Sequence, residues 1–296
     1  MNYRVTHRTE YRYAAPVAYC HNEARLLPRR LPHQTCLTAR VDVDPIPADY
    51  SEREDFFGNR VCYFSIQQPH ERLTVSAISE VSVGDRDDVP ADESDTPWDA
   101  VRDALMTAAS PECLAVRQFL LDSPLVPASA DFLHYAQPFF TPGRPLLEAV
   151  LDLMGRVHAE FQYDPGFTTV STPLAEVMRH RRGVCQDFAH LAIGCLRAVG
   201  LATRYVSGYL ETLPPPGQAR LLGADASHAW CSVFLPEVGW IDFDPTNNQM
   251  PFGQHITTAW GRDFSDVTPL KGIIFGGGSG HQLAVSVAVE KLGGDD

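Results

Sequence analysis

The chain has 296 residues, a length that suggests about two domains, and its 44% hydrophobic and 21% charged residues are typical of a globular protein. Its 24 Lys and Arg residues against 37 Asp and Glu residues give a net charge of −13. This acidic balance argues against nucleic acid or an anionic membrane as a partner.

The first 84 residues are predicted to form an antiparallel β domain. Residues 2–13 alternate between one side rich in Tyr and Val and a mostly polar side, as a half-buried strand does. Three more β-rich segments follow at 35–43, 61–66 and 73–83. We therefore expect an all-β domain over residues 1–84.

Two charged stretches in the first third of the chain are interpreted as solvated surface. Arg25, Arg29 and Arg30 form a cluster that could serve as a recognition patch, but the usual exposure of arginine favours a solvated loop. Residues 85–96 are acidic, contain proline and have few apolar side chains, which is typical of an exposed linker. Their carboxylates have no regular spacing, so we expect no metal site there.

Residues 97–296 are predicted to contain helices first and strands afterwards. Helices are expected from Pro97, from Ser110, over Leu146–Phe161 and from Thr172 to His180. Strands are expected over Thr203–Glu211, His228–Leu235 and Trp240–Asp244.

A glycine-rich run near the C-terminus is interpreted as a turn. Residues 273–289 are predicted to form a hairpin around the glycines of 276–280. The run lacks the Gly-Lys-Ser/Thr ending of a phosphate-binding loop, and no helix is expected after it. We therefore expect a flexible hairpin loop within the second domain.

The cysteines and the apolar runs bear on the compartment. Seven cysteines are scattered without a C-x-x-C pair, which is typical of reduced thiols. No apolar run approaches the length that crosses a membrane, and the first residues lack the apolar core of a signal peptide. We therefore expect a cytoplasmic protein.

One predicted helix begins with a cysteine. From Phe188 onward, apolar residues recur with the spacing of a helix packed on one side, and Gly200 stands where a left-handed residue ends many helices. Extended backwards, the apolar stripe places Cys185 in the first turn, on the inward face. The free N–H groups of that turn, with Arg181 and Arg182 nearby, are expected to favour a thiolate.

His228 on a later strand and Asp244 at the end of the next one complete a possible nucleophile, base and orienting carboxylate. Whether the two share a face depends on the register of the strands. If the numbers of paired residues sum to 475, they lie on opposite faces; a sum of 474 makes them diagonal neighbours. We therefore predict the register of 474, produced by a five-residue turn at 235–239 or by a bulge.

Four sequence pieces carry a family resemblance: GVCQDFAHL, RYVSGYL, DASHAW and GWIDFDPTN, with GRDFSDV following them. At these residues the chain resembles the transglutaminase-like superfamily of cysteine enzymes. More closely, it resembles bacterial transglutaminase-like proteins that carry their own N-terminal β domain. The resemblance implies an α+β fold, in which an antiparallel β domain precedes a transglutaminase-like, papain-like core. In that core the cysteine helix packs on an antiparallel sheet.

The resemblance also implies the site residues. Cys185, His228 and Asp244 correspond to the catalytic triad, and the backbone N–H of Cys185 is expected to help hold the oxyanion. In the larger transglutaminases an aromatic residue upstream of the cysteine also serves as an oxyanion donor, and Tyr163 or Gln162 stands in the comparable place. Further candidates for oxyanion or substrate contacts are Gln186, Asp187 and Trp230. Asp225 and Ser227 match the family pattern without an assigned role.

The implied reaction is attack of the cysteine on an amide of a protein or peptide substrate, through a thioester, with no cofactor and no metal. The superfamily includes cross-linking transferases, deamidases and peptidases, so an acyltransferase and a cysteine peptidase or amidase both stay open. A non-catalytic protein-binding module is a third interpretation, against which the intact triad argues. A zinc site is disfavoured because the spacing of the Cys and His residues lacks the usual close pairs. The residues weighed for zinc are Cys185, His190, Cys195, His228 and Cys231.

Overall fold

The computed structural model describes residues 1–84, 95–211, 227–236, 238–251 and 253–293. Residues 85–94 of the predicted linker and Asp225 lie outside these ranges. The strands are β1 (Asn2–Ala24), β2 (Gln34–Asp44), β3 (Asp49–Glu54), β4 (Arg60–Ile66), β5 (His70–Val83), β6 (Gln162–Tyr163), β7 (Arg182–Gly183), β8 (Thr203–Leu210), β9 (Ser227–Leu235), β10 (Gly239–Phe243), β11 (His255–Gly261), β12 (Leu270–Gly276) and β13 (Gln282–Leu292). The helices are α1 (Trp98–Thr107), α2 (Pro111–Val116), α3 (Ala130–Ala136), α4 (Leu146–Glu160), α5 (Leu174–His180), α6 (Cys185–Ala198) and α7 (Phe264–Val267).

The predicted helices are present, with small differences at their ends. Ser110 caps α2, because its side chain accepts a hydrogen bond from the backbone N–H of Cys113 at 3.2 Å. Gly200 has φ +89° just beyond α6, the left-handed conformation predicted for the end of that helix. In the part of the chain that the structure describes, none of the helices combines the length and apolarity that a membrane span needs.

The N-terminal sheet is built on β1, which is paired along both of its edges. One edge pairs with β4 and then β5, the other with β12 and then β13, and all of these pairings are antiparallel. Each pair of successive strands therefore behaves as one long strand with a bend. The outer strands β2 and β3 pair with β5 and β4, so the whole sheet is antiparallel, as predicted.

The C-terminal strands correct the prediction of a hairpin at 273–289. Along β1, the numbers of paired residues sum to 294 for β13 and, from Tyr19 onward, for β12, so these strands are two halves of one edge strand. The glycines of 276–280 lie at the bend between them, where Gly277 exchanges backbone hydrogen bonds with Ala15 and Pro16 at 3.0 and 3.1 Å. The segment belongs to the N-terminal sheet, not to the second domain. The boundary predicted at 85–96 stays a prediction.

The second sheet has the strand order β10-β9-β8-β11 and carries α6 on one face. Cys231, Val233 and Phe243 of the sheet share a buried apolar cluster with Ala192 and Leu196 of the helix. Burial of these side chains fixes the helix on the sheet, since apolar area removed from water is the main favourable term. The predicted α+β fold, with the cysteine helix packed on an antiparallel sheet, is confirmed.

The N-terminal domain covers the outer edge of β11 with side-chain amides. Gln34 donates to the carbonyl of Thr257 and accepts from its N–H, both at 2.8 Å. Asn59 makes the same two contacts with Trp260, both at 2.9 Å. These amides satisfy backbone groups that an edge strand would otherwise leave open. They also tie the position of β11 to the N-terminal sheet.

Two of the three clustered arginines are structural, so their assignment to a solvated loop is wrong. The Arg29 guanidinium lies 3.5 Å from the ring centre of Trp260 and bonds the side chain of Asn59. Arg25 forms an ion pair with Asp55 at 3.0 Å, and both side chains are largely buried. The planar guanidinium explains this use of arginine, because it stacks on aromatic rings while its N–H groups donate. Arg30 is exposed.

Candidate active site

Cys185 is the first residue of α6, and a short parallel pairing holds the chain in front of it. Gln162 and Tyr163 of β6 pair with Arg182 and Gly183 of β7, immediately before the helix. The first N–H groups of a helix have no carbonyl partner in a preceding turn. The thiol of Cys185, which is half-buried, therefore lies at the positive end of the helix.

Asp187 fixes this turn and does not offer an oxyanion donor. Its carboxylate, which is buried, accepts hydrogen bonds from the N–H of Val184 at 2.8 Å and from the hydroxyl of Thr168 at 2.7 Å. A Cβ on residue 183 would stand 2.8 Å from the same carboxylate, which explains why a glycine lies two residues before Cys185. Asp187 is thus corrected from a substrate or oxyanion candidate to the residue that holds the helix start.

The register of β9 and β10 brings His228 and Asp244 together. Paired residues sum to 474 from Cys231↔Phe243 to Leu235↔Gly239, so the predicted register is confirmed. The predicted five-residue turn at 235–239 is too long, because Leu235 pairs with Gly239. Asp244 follows directly after β10, and His228 Nε2 lies 2.7 Å from Asp244 Oδ2.

His228 is also a neighbour of Cys185, because the thiol is one of the groups that raise the pKa of the ring. Burial lowers the pKa of His228, but the hydrogen bond to Asp244 and the neighbouring Cys185 outweigh burial and raise that pKa to about 10. At neutral pH the ring is therefore an imidazolium, which can pair with a thiolate.

Asp244 is fully buried and is held by donors on every side. Its Oδ2 accepts from His228, from His255 Nε2 at 3.0 Å and from Asn247 Nδ2 at 2.7 Å. Its Oδ1 accepts from the N–H groups of Thr246 and Asn247 at 3.0 and 3.2 Å. Burial raises the pKa of Asp244, but these donors hold it well below the usual range. The carboxylate is an anion wherever the protein is folded at ordinary pH.

His255 and Asn247 are parts of the site that the sequence reasoning did not assign to it. His255 opens β11, a strand that lies two places from β9 in the sheet. Nothing in its local pattern separates it from a packed strand histidine. Asn247, in the turn after Asp244, carried a signal, because Asn and Asp side chains commonly bond the backbone and each other in turns.

The cluster of His228, Asp244 and His255 also has the residue types of a metal site. Their nearest ligand atoms lie within 4.8 Å of one another. These same atoms, however, are already joined by hydrogen bonds, and the N–H₂ group of Asn247 points at the shared oxygen. A donor hydrogen at that position competes with a cation. The arrangement fits a proton-bonded network better than a metal centre.

Trp230 is buried and cannot contact a substrate or an oxyanion. Its ring has no exposed area, and its indole N–H donates to Asp242 Oδ2 at 2.8 Å. The ring lies on Gly208, which pairs with His228 across β8 and β9. Trp230 is therefore corrected from a site candidate to a support beneath His228.

Gly208→Ala is expected to destabilise the protein and to lower any activity of the site. A Cβ at this position would clash with the carbonyl oxygen of Ile256 and lie 2.6 Å from the Trp230 ring. Overpacking of this kind typically costs about 1–3 kcal/mol. Urea denaturation measures the effect, with Gly293→Ala as the control, because a Cβ there meets nothing within 4 Å. Equal stability of the two variants would contradict this account of Gly208.

The oxyanion candidates differ in how close they lie to the sulfur. Burial raises the pKa of the Tyr163 hydroxyl, and the charge of Cys185 raises it further, so the two groups are electrostatic neighbours. Tyr163 also packs its ring against Phe188, with 6.4 Å between centres. Gln162 is exposed and Gln186 is half-buried, and neither side chain bonds any other part that the structure describes. Tyr163 is the candidate with a visible link to Cys185.

The two arginines before the helix do not act directly on Cys185. Arg181 bonds Glu160 at 2.7 Å, and Arg182 forms an ion pair with Asp164. Their charges are thus directed toward carboxylates of the preceding segment. The helix N-terminus and His228 supply the positive environment of the sulfur. Ser227 is exposed at the start of β9.

Comparison with protein families identifies two matching regions. Residues 3–82 match the family described as the bacterial transglutaminase-like N-terminal region, and residues 134–245 match the transglutaminase-like superfamily. The second region contains Cys185, His228 and Asp244, and it ends before His255. The family resemblance predicted from the sequence is confirmed.

Comparison with individual proteins and with solved structures finds further similarities. Uncharacterised proteins of Mycobacterium bovis and Mycobacterium tuberculosis are 44% identical over 302 residues, covering 99% of this chain and 94% of each relative. A protein-glutamine gamma-glutamyltransferase of Pseudomonas aeruginosa is 29% identical over 128 residues, covering 37% of this chain and 19% of that protein. A provisionally assigned cysteine protease from Cytophaga hutchinsonii has a similar fold, with a TM-score of 0.78, 19% identity and coverage of 100% of this chain and 92% of that one.

Proposed function

Because the chain belongs to the transglutaminase-like superfamily, we propose that it is a cysteine enzyme that acts on amide bonds through a thioester. The observation that carries this proposal is the His228 ring, which bonds Asp244 at 2.7 Å and whose pKa is also raised by the neighbouring Cys185. A nucleophile, a base and an orienting carboxylate in this order are the parts of acyl transfer by a cysteine. The proposed substrate is a protein or peptide.

The proposed reaction begins with the thiolate of Cys185 and the imidazolium of His228. The sulfur attacks the amide carbon, and the carbonyl oxygen becomes an oxyanion. When the C–N bond breaks, His228 transfers its proton to the departing ammonia or amine, and a thioester remains. Water or a second amine then loses a proton to His228 and attacks the thioester. The products are an acid or a new amide, and the ion pair is restored.

The oxyanion is proposed to lie at the start of α6. The N–H of Cys185 is one donor, because no preceding turn of the helix supplies it with a carbonyl. Tyr163 is the proposed second donor, since its hydroxyl is an electrostatic neighbour of the sulfur. Gln162 and Gln186 stay as alternatives on neighbouring positions. No step of this chemistry requires a metal or a cofactor.

The acyl donor proposed first is the side-chain amide of glutamine. The partial similarity to a protein-glutamine gamma-glutamyltransferase is the reason to begin with that group. A glutaminyl peptide with hydroxylamine tests transfer, and ammonia release without hydroxylamine tests deamidation. Cleavage of the peptide backbone would instead support a peptidase. Binding of a partner without any of these reactions would support the binding-module alternative.

Cys185 is expected to be the most reactive of the seven cysteines. Cys20, Cys62, Cys195 and Cys231 are buried, whereas Cys36, Cys113 and Cys185 are partly accessible. Of these three, Cys185 is the one that lies at a helix start and beside His228. Brief alkylation of the native protein with iodoacetamide near pH 6, followed by peptide mapping, should modify Cys185 first. Preferential modification of Cys36 or Cys113 would contradict the assignment.

The proposed location is the cytoplasm. All seven cysteines are free, including Cys20 and Cys62, which lie in one buried cluster of the N-terminal sheet. A chain with several free thiols suits a reducing compartment. Mass spectrometry of the protein isolated under alkylating conditions tests this, because seven blocked thiols are expected.

A further inference from the structure

Asp244 Oδ2 is shared by two imidazoles, although the proposed mechanism uses only one of them. His228 Nε2 lies 2.7 Å from this oxygen and His255 Nε2 lies 3.0 Å from it. His255 is 3% exposed, so solvent does not account for its position. Its ring packs edge-on against Trp230 with 5.1 Å between centres, which fixes the ring plane.

The proton on His255 is located by its two neighbours. An ionised carboxylate can only accept, so the nitrogen that faces Asp244 must carry the hydrogen. The other nitrogen, Nδ1, is buried and finds no hydrogen-bond partner among the residues that the structure describes. Burial lowers the pKa of His255, which outweighs the opposing influence of Asp244 and keeps the ring neutral at ordinary pH. The charged groups that act on the ring are Asp244, His228 and Asp242.

We propose that His255 is a positioning residue of the active site, which donates Nε2–H to Asp244 Oδ2 and thereby keeps that oxygen aimed at His228. This inference rests on the proposed function, because it concerns the same Cys185–His228 pair. A neutral donor suits the role, since it restrains the carboxylate without neutralising it. A charged donor would compete with His228 for the negative charge of Asp244.

The N-terminal domain helps to hold His255 in place. His255 is the first residue of β11, where it pairs with Leu210 of β8. Two positions later, Thr257 is held on its other side by the side chain of Gln34 and by the N–H of Arg29 at 3.0 Å. The N-terminal domain therefore fixes the strand that carries His255. Through that strand it restrains Asp244.

The test compares two substitutions at the same site. His255→Phe keeps an aromatic ring but removes the donor, whereas His255→Gln places an amide N–H near the position of Nε2. The rate of Cys185 alkylation by iodoacetamide is measured from pH 5 to 10 in both variants and in the parent. His134→Phe, on the exposed face of α3, is the control for the added phenyl ring.

At pH 6, His255→Phe is expected to alkylate about 10- to 100-fold more slowly than the parent, the effect of losing one hydrogen bond to a charged acceptor. His255→Gln should recover most of the parent's rate, and His134→Phe should match the parent. An unchanged rate in His255→Phe would overturn the proposal. Equal losses in the Phe and Gln variants would overturn it too, because the donor would then be irrelevant.

Should His255→Phe fail to fold, the parent itself decides the question. Nitrogen-15 NMR of the histidine rings reports which nitrogen carries the proton. The Nε2–H tautomer of His255 supports the proposal, and the Nδ1–H tautomer overturns it. Alkylation and tautomer are measured without an amide substrate. A parent that shows the expected profile but no amide chemistry would therefore refute the proposed function and leave the role of His255 standing.

Discussion

Cys185→Ala is expected to reduce turnover of a glutaminyl peptide to the background rate while leaving the protein folded. Without the sulfur no thioester can form, so transfer to hydroxylamine and release of ammonia should both disappear. The side chain is small and only half-buried, so its loss leaves little cavity. Far-UV circular dichroism and urea denaturation should therefore resemble those of the parent.

The chain supplies a matched control in a second Cys–His contact. Cys20 Sγ lies 3.8 Å from His70 Nε2 and accepts a hydrogen bond from Asn22 at 3.2 Å. This cysteine has no exposed area, and burial raises the pKa of its thiol, so it cannot serve as a nucleophile. Cys20→Ala should keep the activity that Cys185→Ala loses. Activity retained in Cys185→Ala, or lost in a folded Cys20→Ala, would refute the assignment.

Local sequence signals were sufficient to predict the cysteine helix and its end. The apolar spacing after Phe188 places Cys185 at the start of α6, and the glycine at 200 adopts the left-handed conformation that its position requires. The strand register was also predictable, because His228 and Asp244 share a face only when paired numbers have an even sum, and the turn length favoured 474, the sum observed. Both predictions concern residues that are close in the sequence or lie on two strands joined by one short turn.

Pairings between distant segments were not predictable in this way. Strands β12 and β13 join β1 across more than two-thirds of the chain, and a glycine-rich bend looks the same in a hairpin and in an edge strand. Strand β3, with the sequence DYSERE, is exposed along its whole length and lacks the apolar alternation that marks a strand. Pairing with β4 decides its structure.

Side chains buried by distant contacts were misjudged for the same reason. Arg29 was expected in solvent, yet Trp260 lies under its guanidinium at 3.5 Å. Trp230 was counted with the site because it belongs to the DASHAW piece of the family resemblance, but its buried ring lies on Gly208 and its indole N–H donates to Asp242. His255 was missed because only the order of strands in the sheet brings it to Asp244.

His228→Ala is expected to lower turnover by about 10²- to 10⁴-fold, the usual contribution of a general acid–base residue. The sign of the pH effect follows from its raised pKa. In the parent, His228 stays protonated until the pH approaches its pKa of about 10, so near pH 6 it is a cation beside Cys185. Without the ring, alkylation of Cys185 at pH 6 should fall. The alkylation rate should recover only as the pH approaches about 8.5, the usual pKa of a free thiol.

Asp244→Asn gives the graded comparison for this prediction. The amide keeps the shape of the carboxylate but loses its charge, so His228 would lose the restraint on its tautomer and part of what raises its pKa. Turnover should fall strongly, but less than in Cys185→Ala, and the pH 6 alkylation rate should lie between those of the parent and His228→Ala. A parent-like profile in Asp244→Asn would remove Asp244 from the triad. If all three variants bound a partner as the parent does and the parent turned over no amide, the binding-module alternative would replace the enzyme.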